Sequence, residues 1–200
     1  MRAESGVILR VAAQRLASIP LSLVTLEEIA SDAGLPLTTV AEYFPSVRAV
    51  GAGILDHERE SMRAAQEAAF AATSAPLARL ILVFRAVGEN LANDIVVRAG
   101  VRIAAESRHL FPERRLDPFL TWEKFVTAQL TEAHSRRVLR AGVDIPESVR
   151  IIVAAGMGTM DLISFRDAWP EAPERFEGTM TAILGLLVQG RLKTHQLQEN

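Results

Sequence analysis

TLEEIASDAGLPLTTVAEYFPS, residues Thr25–Ser46, decides the reading of this chain. Thr25 followed by Glu28 is a capping box: the threonine side chain takes one orphan N–H of a new helix, and the glutamate reaches back for another. Ile29, Ala30 and Ala33 give that helix an apolar side. Gly34 ends it, because glycine accepts the left-handed backbone of a helix end. Pro36 suits the first turn of a second helix, where its missing N–H costs nothing. Phe44-Pro45-Ser46 stops that helix in turn. Two short helices across a glycine turn make a helix-turn-helix, the unit that lays its second helix in the major groove of DNA.

Working outward, a helix over about 5–18 precedes the motif, with Val7, Ile8, Val11, Ala12 and Leu16 on one face. Ile19-Pro20 stops it, since proline cannot continue the hydrogen-bond ladder. Ser46 caps a long fourth helix reaching about Phe70. Five more follow: about 76–92, then to 108 behind an Asn93-Asp94 cap, 116–141 closed by Gly142, 146–167 capped by Asp144, and a last one after Pro170 and Pro173. The last carries Phe176, Met180, Ile183, Leu184, Leu187 and Val188. Strand alternation is scarce, so the fold class is all-α with about nine helices. The division falls inside the fourth helix: 1–50 a helix-turn-helix DNA-binding domain, 51–200 a ligand-binding and dimerisation domain.

The eighth helix carries Ile151, Ile152, Val153, Met157, Met160 and Leu162 on several faces, whereas a surface helix needs one stripe. Gly156 and Gly158 allow close approach. A homodimer made by two-fold packing of the last two helices would cover the excess; the other reading is a wholly internal helix.

Composition bounds the rest. Apolar residues make up 49% of the chain, enough for a sizeable core, and no run reads as the roughly 20 apolar residues of a membrane span. No membrane partner and no signal peptide are expected, and the absence of cysteine fits the cytoplasm. Net charge is −2. In the first 50 residues Arg2, Arg10, Arg15 and Arg48 meet Glu4, Glu27, Glu28, Asp32 and Glu42. Counterion release supplies most nonspecific DNA affinity, so a head this neutral grips few phosphates.

Catalytic and metal chemistry find no pattern, so no enzyme, cofactor or metal site is expected. His57, His109, His134 and His195 are scattered, and Asp56-His57-Glu58 reads as a solvated helix face. No Gly-x-Ser-x-Gly elbow is present, and Gly156-Met157-Gly158 lacks the third glycine and preceding strand of a nucleotide loop. Arg98 and Arg102 suit either an anion or i,i+4 pairing with Asp94 and Glu106.

Thr25, Ile29-Ala30, Ala33-Gly34-Leu35 and Phe44-Pro45-Ser46 together resemble the head of the tetracycline-repressor (TetR) family of regulators. Val97–Ile103 (VRAGVRI) and Asp117–Ala133 (DPFLTWEKFVTAQLTEA) are similar to its γ-butyrolactone receptor branch. The resemblance implies a cytoplasmic, ligand-responsive repressor that binds a double-stranded DNA operator as a homodimer. It implies an apolar pocket for a lactone or butenolide, with Trp122 as its lid and Phe84, Val87, Val101, Phe125, Val126, Met157 and Met160 as lining. A core indole with a satisfied N–H is the other reading of Trp122. DNA contacts would come from Thr25, Thr38, Thr39, Glu42, Tyr43, Ser46 and Arg48. The chain departs from the family where Pro36, Leu37, Thr38 and Thr39 open the second motif helix, where Ala41 replaces a phosphate-binding tyrosine, and where Val47 replaces a lysine. These departures leave an alternative: a regulator-fold protein with a degenerate head that binds the signal or pairs with an intact homologue.

Overall fold

A computed structural model describes residues 2–188. Among these, nine α-helices follow one another: α1 Arg2–Leu16, α2 Leu26–Ala33, α3 Leu37–Tyr43, α4 Val47–Ala72, α5 Pro76–Asn93, α6 Ile95–Glu106, α7 Pro118–Ser135, α8 Ile145–Phe165 and α9 Ala172–Leu187. Short 3-10 turns join several of them, and the only bridge of extended backbone among the described residues pairs Leu139 with Val188. The all-α class expected from the sequence is what the chain forms.

Contacts gather the chain into two compact units, Met1–Met62 with Asp94–Pro118, and Arg63–Asn93 with Phe119–Asn200. In the first, α1 packs on α6 and α2, and α2 on α3. Its core holds Ile8, Ala12, Leu16, Ile29, Val40, Val50, Ile54, Ile103 and Phe111. Spacing of four along α1 builds that face, and Val7, one residue off it, is 53% exposed. Gly51 lies where α4 passes close to this core: a Cβ there would stand 3.0 Å from the side chains of both Leu21 and Phe111.

In the second unit α5 packs on α9, and α9 on α8. A Cβ on Gly88 of α5 would stand 2.6 Å from the Ala172 carbonyl oxygen and from the Pro173 Cα, so only glycine allows this approach. Gly156 gives room to Phe84 inside the unit, at 3.0 Å from a notional Cβ, while Gly158 meets nothing within 4 Å. The two glycines therefore face different ways. Thr159 of α8 hydrogen-bonds Thr179 of α9 at 3.1 Å.

Two features differ from the sequence reading. α7 stops at Ser135 rather than near Ala141: Arg137 turns left-handed at φ 58, and Val138 N–H bonds back to the Ala133 carbonyl at 3.0 Å. Leu139 then buries its side chain, and Arg140 N–H bonds the Leu187 carbonyl at 2.9 Å. α8 is long and apolar enough to cross a membrane by length and composition alone, with a window of mean hydropathy 1.4, which the sequence reading did not anticipate. Its apolar residues divide between contacts within the unit and an outer face.

Candidate functional site

Thr25 starts α2 as expected. Its Oγ1 accepts from Glu28 N–H at 3.2 Å and donates to the Glu28 carboxylate at 3.0 Å, while the Thr25 N–H donates to the same carboxylate at 2.8 Å. These bonds hold the Glu28 carboxyl below its usual range. Gly34 adopts φ 64, and Leu35 N–H bonds the Ala30 carbonyl at 3.0 Å, closing the helix and turning the chain toward α3. Arg15 of α1 pairs with Asp32 and, at 3.5 Å, with Glu28, tying α1 to α2.

α3 is short and has one inward anchor, Val40, at 0% exposure. Thr38 and Glu42 stand exposed opposite it, with Thr39 half-buried beside them. These three lie together on the outer side of the helix. The other candidate DNA contacts are engaged elsewhere. Tyr43 donates its hydroxyl to the Glu4 carboxylate, a bond that raises the phenol's pKa. Ser46 accepts from Ala49 N–H at 3.1 Å and caps α4. Arg48 donates from Nε to the Leu110 carbonyl at 2.9 Å and from Nη2 to Glu113 at 2.6 Å, with its guanidinium 5.3 Å from the Phe111 ring centre. Val47 packs against the core of the unit.

Leu37 was not among the candidates, yet it is 40% exposed on α3. Its signal lay in the sequence: an apolar residue where a helix of this kind ordinarily turns a polar side outward.

The aromatic candidates meet in the second unit. Trp122 of α7 lies edge-on to Phe84 of α5 at 5.8 Å and to Phe125 at 6.2 Å between ring centres. Phe176 and Phe70, which the sequence reading did not count as lining, extend the chain of rings at 6.3 Å from Phe84 and Phe125 respectively. Edge-to-face geometry places positive ring edges on negative faces. Val87 and Val126 are buried, Trp122, Phe125, Met157 and Met160 half-buried. Val101 belongs to the first unit, on α6, half-buried. Arg79, 9% exposed, closes the end of the ring series. It lies 4.5 Å above Phe70 and bonds the Thr73 carbonyl, Gln129 and Glu132.

The Asp56-His57-Glu58 run is solvated only in part, with Asp56 exposed and His57 and Glu58 half-buried, and its side chains are engaged. Asp56 takes two bonds from Arg114, at 2.6 and 3.1 Å, which hold its carboxyl low. His57 Nε2 lies 2.6 Å from Asp94, which also caps α6 by accepting from Val96 N–H at 2.8 Å. Glu58 packs on Gly100, whose notional Cβ would sit 2.4 Å from that of Glu58. Burial pushes its carboxyl up to about 7, with Arg59 acting the other way. Arg102 pairs with Glu106 at 2.9 Å. No group of three or more metal-ligating side chains is gathered among the described residues, and His195 lies outside them.

The sequence matches no family model and no curated relative. Solved structures do resemble it. A γ-butyrolactone receptor (ArpA-like protein) superposes with a TM-score of 0.81 at 19% identity, covering 98% of this chain and 96% of that one. The TetR family protein CprB from S. coelicolor A3(2) gives 0.75 at 18%, over 98% and 92%. SmeT, the repressor of the Stenotrophomonas maltophilia multidrug efflux pump SmeDEF, gives 0.71 at 19%, over 92% and 90%. The chain has the all-α fold that these TetR-type regulators share.

Proposed function

We propose that this protein is a cytoplasmic, TetR-family transcriptional repressor of the γ-butyrolactone receptor type, a regulator rather than an enzyme. In this reading residues 1–50 bind a double-stranded operator and residues 51–200 bind a small apolar lactone or butenolide and form the homodimer. The observation that carries it is α3, a helix anchored by one buried valine with Thr38 and Glu42 turned outward beyond a glycine turn. In this reading Thr38, Thr39 and Glu42 face DNA, and Ser46, which caps α4, joins the residues that act from within the protein. Thr25, Tyr43 and Arg48 act first through their neighbours within the protein.

An outer stripe of α8 supports the dimer: Ile151, Ala155, Gly158, Leu162 and Phe165 recur at alternating steps of four and three. Ile151, Leu162 and Phe165 are 48, 59 and 89% exposed in the single chain. That spacing is the seam of a helix–helix interface. A two-fold partner would cover it with the same surface.

For the ligand, the support is the ring series around Trp122, which offers flat apolar surface together with one indole N–H for a carbonyl. Binding that favours one separation of the two heads over another suffices to release DNA.

An electrophoretic shift with DNA upstream of the protein's own gene tests this function. Retardation that added γ-butyrolactone reverses is the expected result. No retardation even at low salt contradicts it, and ligand binding without retardation would point to the degenerate-head alternative.

A further inference from the structure

α3 lacks the side chains that make bidentate contacts to bases. Among the described side chains of α3 there is no arginine, lysine, asparagine or glutamine, the residues that make bidentate contacts to guanine and adenine. Neighbouring cations are committed as well: Arg15 to Asp32 and Glu28, Arg48 to Leu110 and Glu113.

Beside the polar Thr38 and Glu42, α3 presents an apolar edge. Leu37 is 40% exposed, and Ala41, one turn further along, is half-buried. Thr38, exposed, lies three residues before Ala41 and carries a methyl group of its own. Residues three and four apart are neighbours on a helix, so the three make one contiguous edge. In the major groove only thymine offers an apolar feature, its C5-methyl group.

We propose that Leu37, with the Thr38 methyl and Ala41, reads its operator by packing on thymine C5-methyl groups, making Leu37 a specificity-determining residue. This rests on the DNA-binding function proposed above and names how that same face selects sequence. Glu42, exposed next to this edge, adds an acceptor for the cytosine amino group and repels phosphate, so it favours depth in the groove over backbone contact.

The test uses the full-length protein and duplexes that it selects from a random-sequence library. These are resynthesised with deoxyuridine for thymidine, which removes methyl groups and nothing else. The wild type binds the uracil duplex about fourfold more weakly for each methyl lost, the worth of one buried methyl. Leu37→Ala shrinks the thymine-to-uracil ratio by about one such factor, and Leu37→Met, which keeps apolar bulk, restores it. Equal affinity for both duplexes overturns the proposal, as does a Leu37→Ala variant with the full ratio. Those outcomes leave operator binding intact. If the library yields no enriched duplex, the DNA-binding function fails and this inference with it.

Discussion

Arg48 and Glu113 form an ion pair of 2.6 Å that fastens the first turn of α4 to the segment between α6 and α7. The Arg48 Nε bond to the Leu110 carbonyl and the Phe111 ring beneath the guanidinium complete the clip. Phe111 is itself fully buried against Gly51 of α4. A residue that the sequence offers as a phosphate contact is thus spent on joining two parts of one core.

Arg48→Ala is therefore expected to lower unfolding stability by about 1–2 kcal/mol, from the lost charged hydrogen bond and ring stacking, with the exposed ion pair adding little. Chemical denaturation measures this. The salt dependence of DNA binding should stay nearly unchanged. A fall of about 0.9 in the slope with unaltered stability would make Arg48 a phosphate ligand after all.

The helix-turn-helix was legible because its signals are local. Thr25, Glu28 and Gly34 each act within four residues, and each does in the structure what its chemistry implies, while Pro36 stands just before α3 rather than in its first turn. The engagement of Arg48, Tyr43 and Asp56 was not legible, because their partners Glu113, Glu4 and Arg114 lie 39 to 65 residues away and no periodicity links them. The same holds for Phe70 and Phe176, which join Trp122's neighbours only through tertiary packing. The end of α7 was not legible either, because Arg137, not a glycine, takes the left-handed turn.

Glu58 gives the first unit a pH dependence. Its folded pKa of about 7 stands above the usual carboxylate value, so the folded chain holds this proton more tightly than the unfolded one. The stability this contributes is complete at pH below the ordinary carboxylate range and is lost as pH rises through about 7. Its upper bound is about 3 kcal/mol. Glu58→Gln should flatten thermal stability between pH 5 and 8 and exceed the wild type at the upper end, by roughly this margin or less. A wild-type profile that is flat or rising over that interval would contradict the burial of Glu58.

Gly88 tests the packing of α5 on α9. A methyl group there meets backbone of Ala172 and Pro173, which cannot rotate away. Gly88→Ala should cost about 1–3 kcal/mol by denaturant titration, despite alanine's better helix propensity. A stabilised variant would show that the two helices do not approach so closely.

The outer stripe of α8 predicts the oligomeric state. Leu162→Glu places a charge at a position 59% exposed in the single chain, so the monomer should fold with unchanged helix content. Sedimentation should find the wild type dimeric and the variant monomeric. A dimeric variant, or a wild type that is already monomeric, would remove this face from the interface.

The proposed function meets its most direct test in genomic fragment selection by the purified protein, with and without added γ-butyrolactone. The expected result is enrichment of a small set of fragments containing two related half-sites about one helical turn apart, or a multiple of that, and their loss when the lactone is present. Failure to enrich any fragment at low salt, with the dimer intact, would contradict it.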